Sequence, residues 1–259
     1  PLSRVDPPAY RHPPYQGGIK GGSNLKSIFN LIITNYLAIE SIYNDFWLNC
    51  NRNFGVNQAP NSENMANSSA ANLDTASLRQ FLLDALVRLA YREGDFTLSS
   101  GQKSSYYING KQVTLNAEGA LAVGRLLLSL LPPDTQAVAG LTLGADPIVS
   151  AVSVVSAYEN RPIPALIVRK EAKGHGTMAY IEGPTLNPGA AVVVLEDVVT
   201  TGKSAMVAVE RLRNAGYQVD LIIALVDREQ GGAEFYQSQG IQFQALFSIR
   251  DLQAAYHNK

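Results

Sequence analysis

The chain has 259 residues, 46% of them hydrophobic, and 21 Lys and Arg against 22 Asp and Glu give a net charge of −1. That allows one large domain or two small ones with a substantial core, and it lacks the basic excess that a nucleic-acid or anionic-membrane partner requires. A single cysteine, Cys50, excludes an internal disulfide and a Cys-rich metal site, and it suits a reducing cytoplasm.

Composition changes near residue 65: residues 1–64 hold ten Asn and residues 65–259 hold eight. The opening DPPAYRHPPYQGGIKGGS is too rich in Pro and Gly for a regular element. The following IFNLIITNYLAIESIYNDFWLNC is apolar, but Asn30, Asn35, Glu40, Asn44 and Asp45 interrupt it. No clean run approaches the roughly 20 residues of a membrane span, and the basic flank and cleavage site of a secretory signal are missing. An amphipathic helix over 28–48 and a disordered or non-native stretch both stay open. Met65 is the first methionine and leads directly into a normal helix approach. The expectation is a poorly ordered or non-native extension over 1–64 and one folded domain over 65–259.

From residue 74 the pattern is regular. LRQFLLDALVRLAYREG has apolar residues at helical spacing, with Asp74 or Thr75 as N-cap and Gly94 as the stop. NAEGALAVGRLLLSLLPP predicts a second helix, capped by Asn116 and ended by Pro132 and Pro133. Apolar runs at 137–141, 164–168, 190–196, 220–226 and 243–247 then read as strands. Helices fill the gaps, one opening at Asp146 and Pro147 and one near Lys203. Continuous apolar strands separated by helices predict an α/β, doubly wound, mainly parallel five-stranded sheet with helices on both faces. Ligands in that architecture sit beyond the carboxyl ends of the strands.

One such end carries chemistry. VVVLEDVVTTGKS (192–204) places Glu196 and Asp197 at the exit of an apolar strand, followed by a turn of threonines and glycine. Two adjacent carboxylates repel each other, so folding alone gains nothing from the pair. They can accept hydrogen bonds from neighbouring sugar hydroxyls or bind a divalent cation. The turn leads into a helix N-terminus, where free N–H groups and the hydroxyls of Thr200, Thr201 and Ser204 suit an anion. Together they suggest a binder of a ribose 5-phosphate. A nucleotide P-loop is excluded, because it needs glycine where Asp197 stands.

These residues closely resemble the motif with which type I phosphoribosyltransferases bind 5-phospho-α-D-ribosyl 1-diphosphate (PRPP). Four further stretches narrow the resemblance to the orotate phosphoribosyltransferase family. FTLSSGQKSSYYING (96–110) resembles its orotate-side segment, and GLTLGADPI (140–148) its pyrophosphate-side loop. VRKEAKGHGT (168–177) resembles its catalytic loop, and ALVDREQGG (224–232) its orotate-binding arginine segment. The resemblance covers about 74–259, in order and spacing, and not 1–64. It implies the type I fold with a small N-terminal hood, and transfer of phosphoribose from PRPP to orotate. Glu196 and Asp197 would hold the ribose hydroxyls. Val198, Val199, Thr200, Thr201, Gly202, Lys203 and Ser204 would cradle the 5'-phosphate, with Thr200 also near orotate. Arg228 would pair with the orotate carboxylate, flanked by Tyr106 and Tyr107. Arg169, Lys170, Lys173 and His175 would act on the pyrophosphate, and Lys173, His175 and Asp197 would be the catalytic residues. The implied cofactor is Mg²⁺, carried mainly by PRPP, and the implied assembly is a homodimer whose loop acts in trans. Neither nucleic acid nor membrane is an expected partner.

Departures and rivals bear on this expectation. Ser99 stands where some family members carry a lysine, and Lys103 is a candidate substitute. Leu143 and Gly144 stand where some carry Tyr-Lys, so pyrophosphate contacts there would be mainly backbone. Tyr106 and Tyr107 adjoin on a strand, so one of them can instead face the core. A purine phosphoribosyltransferase is opposed by Arg228 and the 96–101 segment. A non-catalytic PRPP-sensing regulator is opposed by the intact RKEAKGH loop and the neutral charge. A fused decarboxylase barrel does not fit in 64 residues.

Overall fold

The computed structural model describes residues 69–97, 103–172 and 180–258. The chain divides into Pro1–Pro60 and Asn61–Lys259, and every described residue belongs to the second unit. The expectations for 1–64, Met65, Ser99, Lys173 and His175 lie outside the described residues.

The first helix, α1 (Thr75–Ala85), starts where its cap dictates: the Asp74 carboxylate accepts the Ser77 N–H at 2.8 Å. Leu78, Leu82 and Ala85 form its buried stripe. It does not run on to Gly94. One π turn over Leu86–Ala90 closes it, and strand β1 (Tyr91–Thr97) begins at once. Tyr91 is fully buried and pairs with Ile108 of β2 (Lys103–Ile108), so cross-strand pairing outweighs further helix. Gly94 falls instead at the register break between Glu93 and Phe96. A short α2 (Lys111–Thr114) leads to α3 (Ala117–Leu130), which Asn116 caps through the Gly119 N–H.

All five expected strands are present as β3 (Ala137–Leu141), β4 (Ala165–Val168), β6 (Val192–Val199), β7 (Leu221–Asp227) and β8 (Gln242–Ser248). They are mutually parallel. A sixth, β5 (Ile181–Glu182), adds antiparallel to β4, giving the order β5-β4-β3-β6-β7-β8. Two residues are too few to leave a periodic signal, which is why the sequence predicted five strands. β6 also runs three residues past the expected end, because Val198 and Val199 keep pairing with Val226 and Asp227. Glu196 and Asp197 therefore lie inside the last part of the strand rather than at its tip.

The central strands are buried on both faces, and each face has its own core. On one, α1, α3, α4 (Asp146–Tyr158) and α7 (Ile249–His257) cover the sheet through Leu78, Leu126, Ile148 and Leu252 against Leu195 and Ile223. On the other, α5 (Lys203–Asn214) and α6 (Gly232–Ser238) bring Val209, Leu212 and Tyr236 against Val194 and Ile222. Each fully buried aliphatic side chain contributes about 1.5–3 kcal/mol. The β1–β2 hairpin forms a separate small layer that the C-terminal helix completes. Tyr256 packs edge-on to Tyr91 at 5.2 Å, and His257 pairs with Glu93 at 2.9 Å.

Candidate functional site

β6 ends at Val199, and the chain turns through Thr200, Thr201 and Gly202 into α5. Gly202 is the N-cap, with φ 80°. That left-handed conformation suits glycine. A Cβ there would also stand 2.7 Å from the Tyr236 ring. Thr200 is half-buried, while Thr201, Lys203 and Ser204 are exposed. The start of a 12-residue helix thus opens to solvent with hydroxyls around it, an arrangement that attracts an anion.

The two acids beneath it differ. Glu196 is buried, and its Oε2 has no hydrogen-bond partner among the described residues. Burial, and then the neighbouring Asp197 charge, push its carboxyl well above the usual carboxylate range, with Lys170 opposing weakly. Asp197 is half-buried and accepts its neighbour Val198's N–H at 2.9 Å. The turn after β3 touches this carboxylate: a Cβ on Gly144 would lie 2.6 Å from Asp197 Oδ1. Only glycine lets that backbone come so close. The preceding Thr142–Leu143 peptide is cis.

A buried carboxyl whose pKa is raised has a definite pH signature. Between the ordinary carboxylate value and the raised one, the folded state holds a proton that the unfolded state has lost. Its contribution to stability is complete at low pH and disappears as pH rises through the folded pKa. Glu196→Gln therefore melts like wild type near pH 4.5 and higher than wild type at pH 8. The gap opens as pH rises toward and through the raised pKa of the folded state. Thermal melts of the ligand-free protein across that range check it, and a gap that shrinks with rising pH contradicts it.

Arg228 follows β7, the neighbour of β6, and its N–H donates to the Val199 carbonyl at 2.9 Å. The side chain is buried, 7% exposed. Its Nε donates to the Tyr106 hydroxyl and its Nη2 to the Ser104 hydroxyl, each at 3.2 Å, and the guanidinium lies 4.7 Å from the Tyr106 ring centre. Gln230 Nε2 donates to the same Tyr106 hydroxyl. The adjacent acids turn away. Asp227 accepts from the Glu229 N–H, and Glu229 pairs with Arg250. Among the described residues Arg228 makes no ion pair, so a buried cation is held by neutral partners only. Such a charge is costly unless an anion completes it.

The tyrosines part company. Tyr106 faces Arg228 and stacks on Tyr91 at 5.9 Å, whereas Tyr107 is 44% exposed and packs on Phe96. Successive strand residues point to opposite faces. Lys103 donates to the Thr97 hydroxyl at 2.9 Å. Arg169, half-buried just past β4, pairs with Glu182 at 2.9 Å, and Lys170 is exposed. Two further residues lie here although the sequence did not single them out: Ser104, which bonds Arg228, and Arg211, whose guanidinium donates to the Arg169 and Lys170 carbonyls. Ser104 shared a detectable signal, the two-residue spacing to Tyr106. Arg211 left none.

No family model matches the chain. Among curated relatives, an orotate phosphoribosyltransferase from a Nostoc species is 74% identical over 197 residues, covering 75% of this chain and 96% of that protein. The enzyme of the same name from a Synechocystis species is 72% identical over 198 residues, covering 75% of this chain and 100% of the relative. Among solved structures, the Mycobacterium tuberculosis orotate phosphoribosyltransferase in complex with PRPP aligns with a TM-score of 0.58 at 34% identity, over 68% of this chain and 99% of its own.

Proposed function

The chain belongs to the orotate phosphoribosyltransferase family, and from that premise we propose that it transfers the 5-phosphoribosyl group of PRPP to N1 of orotate. The products are orotidine 5'-monophosphate and pyrophosphate, a step of pyrimidine synthesis. The observation that carries the reading is Arg228: a buried guanidinium with no acidic partner among the described residues, held by hydroxyls and an aromatic ring, one strand from the paired acids and the helix N-terminus. A planar carboxylate on the base suits that fork.

In this reading the helix N-terminus and residues Thr200–Ser204 take the 5'-phosphate, while Glu196 and Asp197 accept hydrogen bonds from the ribose 2'- and 3'-hydroxyls. Those hydroxyls supply the donors that the unpartnered Glu196 Oε2 lacks. The bond from C1' to pyrophosphate oxygen breaks with its electrons going to oxygen, orotate N1 closes the new bond to C1', and the proton that N1 gives up passes to the departing pyrophosphate. Charge grows on the departing oxygens, where Arg169, Lys170, Lys173 and His175 stabilise it most in the transition state. Among the described residues no three His, Cys, Asp or Glu side chains cluster to cage a metal. The two carboxylates fit a cation that brings other ligands with it. Mg²⁺ entering with PRPP would lie toward Asp197 and Glu196 and neutralise phosphate charge.

The active form in this proposal is a homodimer of the 65–259 unit, in the cytoplasm, with Arg169 and Lys173 reaching the partner's site. An exposed apolar face supports the dimer. Leu115 and Val154 are 69% and 64% exposed and share a groove with Leu121 and Ala151. Tyr158, 88% exposed, lies one helical turn on from Val154. Leu143, 69% exposed, adjoins the Gly144 that touches Asp197. Among the described residues no helix is long and apolar enough to cross a membrane.

The reaction itself is tested by mixing protein, PRPP, Mg²⁺ and orotate and weighing the products. Orotidine 5'-monophosphate and pyrophosphate in equal amounts are expected, and neither forming overturns the reading. The trans arrangement has its own test. Lys173→Ala should lower kcat far more than it raises the KM for PRPP. Heterodimers of Lys173→Ala with Asp197→Asn should regain activity, because one of the two sites receives both intact halves. Verified heterodimers without that gain contradict the arrangement.

A further inference from the structure

We propose that Arg211 is a positioning residue for this reaction, holding the Arg169–Lys170 backbone in fixed relation to the turn that receives the 5'-phosphate. The inference rests on the assignment of Arg169 and Lys170 to PRPP made above. Arg211 lies on α5, the helix that starts directly after Thr200–Gly202. Its guanidinium reaches away from the helix and donates Nη1 to the Arg169 carbonyl and Nη2 to the Lys170 carbonyl, the latter at 2.8 Å. The same group lies 4.1 Å from the ring centre of Tyr180. Tyr180 in turn accepts the Arg169 N–H on its carbonyl at 2.8 Å. Beyond it, Arg169 pairs with Glu182 on β5. One side chain thus grips the chain where it leaves β4 and again where it enters β5.

The consequence is geometric. Lys170 is addressed to the pyrophosphate end of PRPP in this chain's own site, and the turn before α5 to the 5'-phosphate end of the same molecule, while Arg169 serves the partner's site. Arg211 ties these two binding elements to one rigid helix, so their separation is preset rather than found on each turnover. Preset geometry of this kind matters for rate, since a misplacement of about 1 Å can cost on the order of 100-fold. The chemistry requires arginine in particular. A planar fork can serve two consecutive carbonyls while its face packs on an aromatic ring, and a lysine ammonium cannot do both. Arg211 is also half-buried at the helix surface, outside the core that Val209 and Leu212 form. Its removal should spare the fold.

The test uses the full chain with Arg211→Ala, Arg211→Lys, Lys170→Ala and the Arg211→Ala/Lys170→Ala double variant. Arg211→Ala should lower kcat/KM for PRPP roughly 10- to 100-fold, leave the KM for orotate within about twofold, and move Tm by less than about 2 °C. Arg211→Lys should recover little of the loss. The double variant should be no worse than about the poorer single variant, because residues acting through one another are not additive. Strict additivity, or equal losses toward both substrates together with a lowered Tm, overturns the proposal while leaving the PRPP assignment standing. A Lys170→Ala enzyme with wild-type PRPP kinetics removes the assignment beneath it, and the proposal falls with it.

Discussion

Arg228→Ala lowers kcat/KM for orotate at least 30-fold, with the KM for PRPP held within about threefold. The size follows from what the side chain is and where it sits. Removing one member of a buried, hydrogen-bonded charge pair costs about 2–5 kcal/mol, and 2 kcal/mol is already roughly 30-fold. In the free protein Arg228 is only 7% exposed and is held by the hydroxyls of Tyr106 and Ser104. Its charge is therefore desolvated and oriented before substrate arrives, and in the proposed reaction the carboxylate of orotate would be the partner that completes it. Arg228→Lys should recover less than a tenth of the lost activity, since lysine keeps the charge but not the fork or the bond to Tyr106. Steady-state kinetics with each substrate varied in turn decide the matter. A loss shared equally by both substrates would mean that Arg228 supports the site without reading the base.

Asp197→Asn is expected to lower kcat/KM for PRPP roughly 10- to 150-fold, the equivalent of losing one charge-assisted hydrogen bond at about 1.5–3 kcal/mol. Asparagine preserves the shape of the residue. It also keeps a carbonyl oxygen for the Val198 N–H that Asp197 now accepts. What it removes is the charge that the proposed function sets against the sugar hydroxyls. The effect should stay local, because asparagine fits the same space beside the Gly144 backbone. Orotate affinity measured with saturating PRPP should change by less than about threefold. Wild-type kcat/KM for PRPP in this variant would show that the acids serve the fold and not the sugar.

The parallel core was legible because burial on both faces leaves long apolar runs, and β3, β6 and β7 carry them almost without interruption. The caps at Asp74 and Asn116 were legible for a local reason: each side chain bonds an amide three residues on. The turn through Thr200–Gly202 into a helix was legible because its hydroxyls, glycine and helix start are contiguous in sequence. Long-range choices were not legible. LVRLAYRE carries on at helical spacing, and only Ile108 of β2, 17 residues ahead of Tyr91, turns Tyr91 into a strand residue. The division of labour between Tyr106 and Tyr107 depends on which face of β2 meets Arg228, and adjacency alone leaves that open. Arg228 was legible as a candidate for a carboxylate, but its hydroxyl partners were not, because Tyr106 and Ser104 lie far from it in sequence. Arg211 is one of two arginines in its stretch of α5, and nothing local separates it from Arg213, which serves the Val219 carbonyl.

Pyrophosphate release from PRPP, followed with the purified full chain and Mg²⁺ in parallel reactions containing orotate, uracil, hypoxanthine or adenine, tests the central claim most directly. It reads every candidate base on one scale. The account predicts rapid release with orotate, release slower by at least about two orders of magnitude with uracil, which lacks the carboxylate that Arg228 awaits, and none above background with either purine. Faster release with hypoxanthine or adenine than with orotate, or equal rates with orotate and uracil, would contradict it.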